Sequence, residues 1–282
     1  MILTAENYYS QEANLAYMSV SQFKAFDRCP AAALAELRGE YAPTASPAML
    51  VGGYVDAWFS GELPLFQSQH PELFKRDGTL KAEYLKAQDI IARMEADGLF
   101  SLLMSGTKQV IVTGEIAGVP FKGKLDSLLD AAACREIARR YPETAAALGE
   151  LPRGAIVDQK VMRDLRPVWS EEDHCKLPFV EAYGYDIQGA VYRALEGHGL
   201  PFVLAVGTKE TVTDLAALSI SDADLTSALY QVEDRAPYYQ AIKEGREKPF
   251  RCEHCDYCKA TRELTGIIGY RELAENDVGP GI

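Results

Sequence analysis

The sequence predicts an α/β fold in which a mixed β-sheet is flanked by helices. Two observations predict it. Stretches with the period of strands alternate along the chain with stretches of helical period. Two of the strand-like stretches also carry acids where a buried strand is otherwise apolar. Phe121-Lys122-Gly123-Lys124-Leu125-Asp126 ends on Asp126, and Ala155-Ile156-Val157-Asp158-Gln159-Lys160-Val161 has Asp158 at its centre.

Taken in order, residues 1–17 are polar and tyrosine-containing and read as an arm or loop. Met18 to Phe26 starts a helix that Ser19 or Ser21 can cap, and an alanine-rich helix over residues 31–37 follows Cys29-Pro30. Residues 48–59 form an apolar helix with Asp56 as its one acid, and Gly52-Gly53 allow a neighbour to come close. Proline and glycine break residues 60–80 into a loop. An amphipathic helix covers residues 82–94, a strand residues 108–113, and a hairpin around Gly118 leads to Asp126. Residues 131–148 are helical with a break at Pro142, and Pro152-Arg153-Gly154 leads into the Asp158 strand. A helix over 179–195 places Gln188 and Tyr192 one turn apart on one face. Strands at 202–206 and 215–220 precede a long helix, capped by Ser221 or Asp222, that reaches about Lys243. The tail after Gly269 is polar and loosely held.

At 282 residues and 48% hydrophobic, the composition is globular. It reads as a single domain with an arm (1–18), a helical insertion (131–150) and a C-terminal cysteine-rich clasp (250–262). Apolar runs fall short of a membrane span and no signal pattern opens the chain, so the expectation is a cytoplasmic protein with no membrane partner. The net charge of −12 excludes a broadly basic surface. A nucleic-acid path must then be a local strip, with candidates at Lys122 and Lys124, at Arg163 and Arg166, and at Lys243, Arg246, Lys248 and Arg251.

The chemistry follows from residue types. A strand's side-chain period is two, so Asp158 and Lys160 share a face. Two carboxylates from neighbouring strands, Asp126 and Asp158, make a hard-oxygen site suited to Mg²⁺. A lysine beside them can orient or deprotonate a water. A satisfied salt bridge at a sheet edge is the competing explanation of Asp158 and Lys160. The second signal is Cys252-Glu253-His254-Cys255-Asp256-Tyr257-Cys258, whose thiols sit in a charged context unlike that of core cysteines. This is the front of a ferredoxin-type run without its continuation, so a fourth ligand comes from elsewhere. Cys29 is the choice, and the alternatives are His254, which would favour zinc, or an unligated site. Cys134 and Cys175 read as free thiols.

Together these residues resemble the phage-type PD-(D/E)XK exonucleases of the RecE (exodeoxyribonuclease VIII) group, within the RecB-like nucleases. The resemblance runs from about Ser19 to Cys258. It is carried by Ser19-Val20-Ser21-Gln22-Phe23-Lys24-Ala25-Phe26 with Cys29-Pro30, Val51-Gly52-Gly53-Tyr54-Val55-Asp56, Gly123-Lys124-Leu125-Asp126, Ile156-Val157-Asp158-Gln159-Lys160 and Gln188-Gly189-Ala190-Val191-Tyr192. It implies a restriction-endonuclease-like core and a Mg²⁺- or Mn²⁺-dependent exonuclease acting on double-stranded DNA ends. Asp126 and Asp158 then hold the metal with Asp56, at the place of the superfamily's usual histidine, and Glu115 as further ligands. Lys160 positions the water, and Gln188 and Tyr192 support the site. The cysteines resemble the iron–sulfur branch, where one N-terminal thiol joins three C-terminal ones around a [4Fe–4S] cluster, although the last interval here is shorter than usual. That leaves cluster and zinc both open for Cys29, Cys252, Cys255 and Cys258. The partners implied are DNA ends and a single-strand annealing protein, and a homo-oligomer is compatible with the resemblance. The alternative is a non-catalytic DNA- or protein-binding module on the same fold.

Overall fold

The structure is a computed structural model that describes residues 1–43, 46–149, 153–170, 174–264, 266 and 267. The tail beyond Gly269 lies outside these residues, as do Glu150 at the end of the insertion and residues 151 and 152 after it.

The arm is not all loop. Ser10 caps a short helix, α1 (Gln11–Ala16), by accepting from Ala13 N. β1 (Met18–Ser19) follows, and Ser19 then caps α2 (Val20–Arg28) by accepting from Gln22 N. Pro30 opens α3 (Pro30–Leu37), where its missing N–H costs nothing. α4 (Pro47–Ser60) starts at a Ser46 cap and stops at Gly61, whose φ of 79° ends it in the left-handed region. The stretch read as a broken loop holds α5 (Leu63–Gln69), because proline in a first turn starts a helix as readily as it ends one. α6 (Lys86–Glu95) and α7 (Gly98–Leu103) complete this half.

β2 (Thr107–Ile116) and β3 (Val119–Asp130) form an antiparallel hairpin turned by Ala117 and Gly118, both at positive φ. β3 runs past Asp126, the expected end, to Asp130, which caps α8 (Ala131–Arg140). α9 (Ala145–Leu148) follows the Pro142 break. Next come β4 (Gly154–Met162) and a two-stranded ribbon of β5 (Val168–Ser170) and β6 (Cys175–Leu177). The helix expected over 179–195 is two, α10 (Phe179–Ala182) and α11 (Tyr185–Glu196), divided at Gly184 with φ 60°. β7 (Phe202–Thr208), β8 (Leu215–Ser219), the Ser221-capped α12 (Asp222–Lys243) and α13 (Asp256–Ala260) close the described chain.

The main sheet is mixed, as predicted. β4 pairs parallel with β7 and antiparallel with β3, and β8 forms one edge. One edge of β3 is shared: β1 pairs at Phe121 and Lys122, β4 at Ser127 to Asp130. Alternation sends side chains to two cores. Ile156, Leu204, Phe121 and Val191 pack on one face under α2, α11 and α12. Val157, Val203, Val55, Ile90 and Met94 pack on the other under α4 and α6. β7 is buried along its whole length, which suits its continuous apolar run.

Gly189 sets how closely α11 approaches β7. A Cβ there would lie 2.6 Å from the Phe202 ring and 2.9 Å from Leu225. Gly189→Ala is expected to lower stability by about 1–2 kcal/mol, because overpacking outweighs the gain in helix propensity. The urea midpoint of the purified variant checks this, and an unchanged or raised midpoint contradicts it.

Candidate active site and cysteine cluster

The sheet opens at the two acids. Pairing of β3 with β4 ends at Ser127↔Val157, and the next residues toward the opening are Asp126 and Asp158. β4 stays paired to β7 as far as Met162, so β3 is the strand that leaves. In place of a ladder bond, Gln159 N donates to Asp126 Oδ2 at 2.9 Å. On the other side of Asp126, Gln109 takes a φ of 54° between two regular pairs of β2, and its Nε2 lies 3.5 Å from Asp126 Oδ1. A non-glycine residue in that region is uncommon and marks a constrained position.

Asp158 is 1% exposed. Gln188 on α11 donates Nε2 to its Oδ1 at 2.7 Å. Its Oδ2 forms an ion pair with Lys160 that lacks hydrogen-bond alignment. Both side chains point to one face, as the strand period requires. Asp56 reaches the same opening from α4, and a cleft of about 970 Å³ is lined by Asp56, Asp126, Asp158, Lys160, Gln188 and Tyr192. Tyr192 packs beside β3 because Gly123 has no Cβ, and one added there would sit 3.0 Å from the ring.

Asp56 and Asp158 are raised, each in part by Asp126. Burial pushes Asp158 up to about 7 against the pull of Lys160, and Asp126 and Asp56 add to the rise. Asp56 is open to the cleft yet hemmed in by protein, and this, then Asp126, raises it to about 6. Burial lowers Lys160, but Asp158 and Asp126 outweigh it and hold the ammonium above its ordinary value. Carboxylates arranged so that each disfavours the others' charge are what a cation site requires.

At the far side of α3, the Sγ atoms of Cys29, Cys252, Cys255 and Cys258 all lie within 4.8 Å of one another. Among the described residues no other group of three or more His, Cys, Asp or Glu draws its ligand atoms so close. Cys29 and Cys258 are buried, with their sulfurs 3.6 Å apart. Cys255 N and Cys258 N each point at the sulfur three residues earlier, at 3.3 and 3.5 Å. Burial raises the Cys252 thiol, but the backbone donors of Cys255 and His254 outweigh it and bring it down to about 7. Four converging thiols fit a soft or borderline ion or an iron–sulfur cluster. His254 is exposed and outside the group. Cys134 is buried and Cys175 exposed, both away from the cluster.

The family described as a PDDEXK-like domain of unknown function (DUF3799) matches residues 19–134 and 150–261. The chain belongs to it. A solved structure of a Eubacterium rectale protein described as "Putative exonuclease" is similar at 40% identity and a TM-score of 0.84, over 98% of this chain and 99% of that one. No curated protein matches.

In this PDDEXK-like chain most of the expected site residues meet in one cleft, with one clear exception. Glu115 is exposed near the turn of the β2–β3 hairpin, opposite Pro120, and does not line the cleft. Much of the basic strip is engaged within the protein, although Arg166 and Lys248 are exposed. Lys122 is buried, Lys243 binds the carbonyls of Asn14 and Tyr17, and Arg163, Arg246 and Arg251 pair with neighbouring acids. Lys124 does line the cleft, with Glu62 at 3.5 Å. Sequence reading missed Lys24, Gln109 and the tyrosines of the arm. Lys24 Nζ donates to Tyr183 O at 2.9 Å, and burial, then Lys160, lowers it to about 8. It sits inside a motif already singled out, but nothing local distinguishes it from a surface lysine. No helix of the described residues is long and apolar enough to cross a membrane.

Proposed function

We propose that the chain is a metal-dependent DNA exonuclease that degrades linear duplex DNA from its ends. The observation that carries the reading is the parting of two strands at Asp126 and Asp158, with Lys160 beside Asp158 on the face of one cleft. Family membership and the Eubacterium rectale neighbour support it.

The residues present fit a hard divalent cation, Mg²⁺ or Mn²⁺. The donors are carboxylate oxygens, with Asp56 and Asp158 raised, and apart from the Lys160 ion pair buried Asp158 Oδ2 has no hydrogen-bond partner among the described residues. Asp126 and Asp158 would hold the ion, with Asp56 as a third donor. When bound, it supplies charge stabilisation at the scissile phosphate and a more acidic water. Asp158 and Asp126 hold the Lys160 ammonium above its ordinary value, which favours a role in orienting the attacking water or a phosphate oxygen. Gln188 fixes the carboxylate plane of Asp158 by its 2.7 Å bond, and Tyr192 holds α11 against Gly123. Gln188→Leu is therefore expected to lower kcat roughly 10- to 100-fold, as loss of a ligand's hydrogen-bond partner does. Single-turnover rates at saturating metal measure it, and a change under threefold contradicts the positioning role.

The proposed setting is the cytoplasm of a bacterial or phage-infected cell, with a single-strand annealing protein as partner, in line with the resemblance to the RecE group. The deciding experiment incubates purified protein with linear and closed-circular duplex DNA, with Mg²⁺ and with EDTA. Metal-dependent loss of the linear form alone is expected. Loss of both forms makes it an endonuclease, and loss of neither removes the nuclease reading.

A further inference from the structure

Two consecutive tyrosines on the N-terminal arm line the cleft, and they differ. Tyr8 is 6% exposed and Tyr9 is 67% exposed. The Tyr8 ring lies over Lys122, 4.6 Å from its Nζ, which also donates to Tyr8 O at 2.5 Å and Asn14 Oδ1 at 2.8 Å. Lys243 Nζ holds the following stretch through Asn14 O and Tyr17 O, at 3.1 and 3.0 Å. Neither ammonium has an ion-pair partner among the described residues, so both serve the arm. The arm is thus a built wall of the cleft, and packing accounts for Tyr8.

Packing does not account for Tyr9. Its ring is nevertheless fixed. Lys124 Nζ stands 4.7 Å from its centroid, and the Tyr8 ring meets it edge-on at 4.9 Å and 84°. Lys124 in turn is held by Glu62. Even with Lys124 and Tyr8 against it, Tyr9 keeps 67% of its area exposed and lines the cleft. A planar ring, pre-oriented by a cation and set beside Lys24, Lys124 and Lys160 of the cleft lining, has the two features that bind single strands. These are an aromatic surface for a base and cations for the backbone. Pre-orientation matters because ordering a free side chain on binding costs affinity.

We propose that Tyr9 is a stacking platform for an unpaired base of the strand that occupies the Asp126–Asp158 cleft. The inference rests on the nuclease reading and adds a substrate preference to it. A base inside a duplex is already stacked and cannot use the ring without leaving its pair. Ends with unpaired nucleotides are therefore preferred over blunt ends.

The test uses the full chain carrying Asp158→Asn, so that DNA is held uncut, and duplex DNA with 2-aminopurine in an unpaired overhang at one terminus or the other. Fluorescence and anisotropy are read for this chain and for the same chain with Tyr9→Ala or Tyr9→Trp. The overhang base is expected to be quenched on binding. Tyr9→Ala should remove the quenching and weaken overhang binding roughly 5- to 100-fold, the effect of losing one base stack. Tyr9→Trp should restore both, and blunt duplex should bind alike in all three. Equal quenching with Tyr9→Ala, or an equal loss on blunt and overhang DNA, overturns the platform. Cleavage by the wild-type chain is assayed in parallel. Cutting without Tyr9 dependence removes the platform alone, Tyr9-dependent binding without cutting removes the nuclease reading alone, and absence of binding removes both.

Discussion

Asp158→Asn is expected to keep the fold and to lower metal-dependent cleavage by about 10³-fold or more. The substitution keeps the shape of the side chain and an oxygen that can accept from Gln188, which now does so at 2.7 Å. What it removes is the negative charge on the inner of the two facing strands. A lost ligand to a catalytic cation forfeits several kcal/mol of transition-state stabilisation, and about 4 kcal/mol corresponds to the expected factor. The same change has an opposite effect on stability. Burial raises Asp158 from 3.8 to about 7, so the native state holds this proton more tightly than the unfolded chain. The stability it contributes is complete below about pH 4 and is lost as pH rises through about 7. At pH 8 the ionised carboxylate is a net cost to the metal-free fold, which asparagine lacks, although Lys160 loses its partner and offsets part of the gain. The metal-free variant should thus melt no lower than wild type at pH 8. Added Mg²⁺ should raise the melting temperature of wild type only, because binding to the native state alone stabilises it. Retention of a tenth of the activity, or equal Mg²⁺ stabilisation of both chains, contradicts the assignment.

Cys258→Ser is expected to lower the melting temperature by about 10–20 °C and to reduce bound metal sharply. Cys258 is fully buried, and its sulfur lies 3.6 Å from Cys29 and 4.0 Å from Cys252. Thiolate sites of this kind contribute binding energy to folding, on the order of 10 kcal/mol in small metal-dependent domains. The sheet's two cores are built from residues outside the cluster, so only part of that figure is expected to be lost here. A loss of about 5 kcal/mol gives the stated shift for a chain of this size. Elemental analysis of protein purified without oxygen, with paired melting curves, reads both quantities. Unchanged metal content and melting temperature would falsify the metal site. Because α3 carries Cys29 at its start and follows directly on α2, which brings Lys24 to the cleft, cleavage should also fall.

What was legible in the sequence is what depends on neighbours in sequence. The shared face of Asp158 and Lys160 follows from strand period, the hairpin from Gly118, and the caps of α2 and α12 from Ser19 and Ser221. The splay of β3 from β4 was not legible, since it is set by where two distant strands stop pairing. That is why Asp126 looked like a strand end and lies instead mid-strand at an opened edge. Glu115 failed for the same reason, because its place on the hairpin depends on the length of β2. Lys24 and Tyr9 become meaningful only when the arm and α2 fold back on the sheet, and no local pattern marks that.

The thiol cluster also orders the making of the protein. Cys29 leaves the ribosome 229 residues before Cys258. Throughout that interval it waits as an unliganded thiol while β4 and then β7, its parallel neighbour, are being synthesised. The centre of the sheet can therefore assemble before the two ends of the chain are joined. Were metal bound at the four thiols, its delivery would be the closing step of maturation, and cells short of it would accumulate chains with a complete sheet and an unfastened cysteine clasp, open to proteases there first.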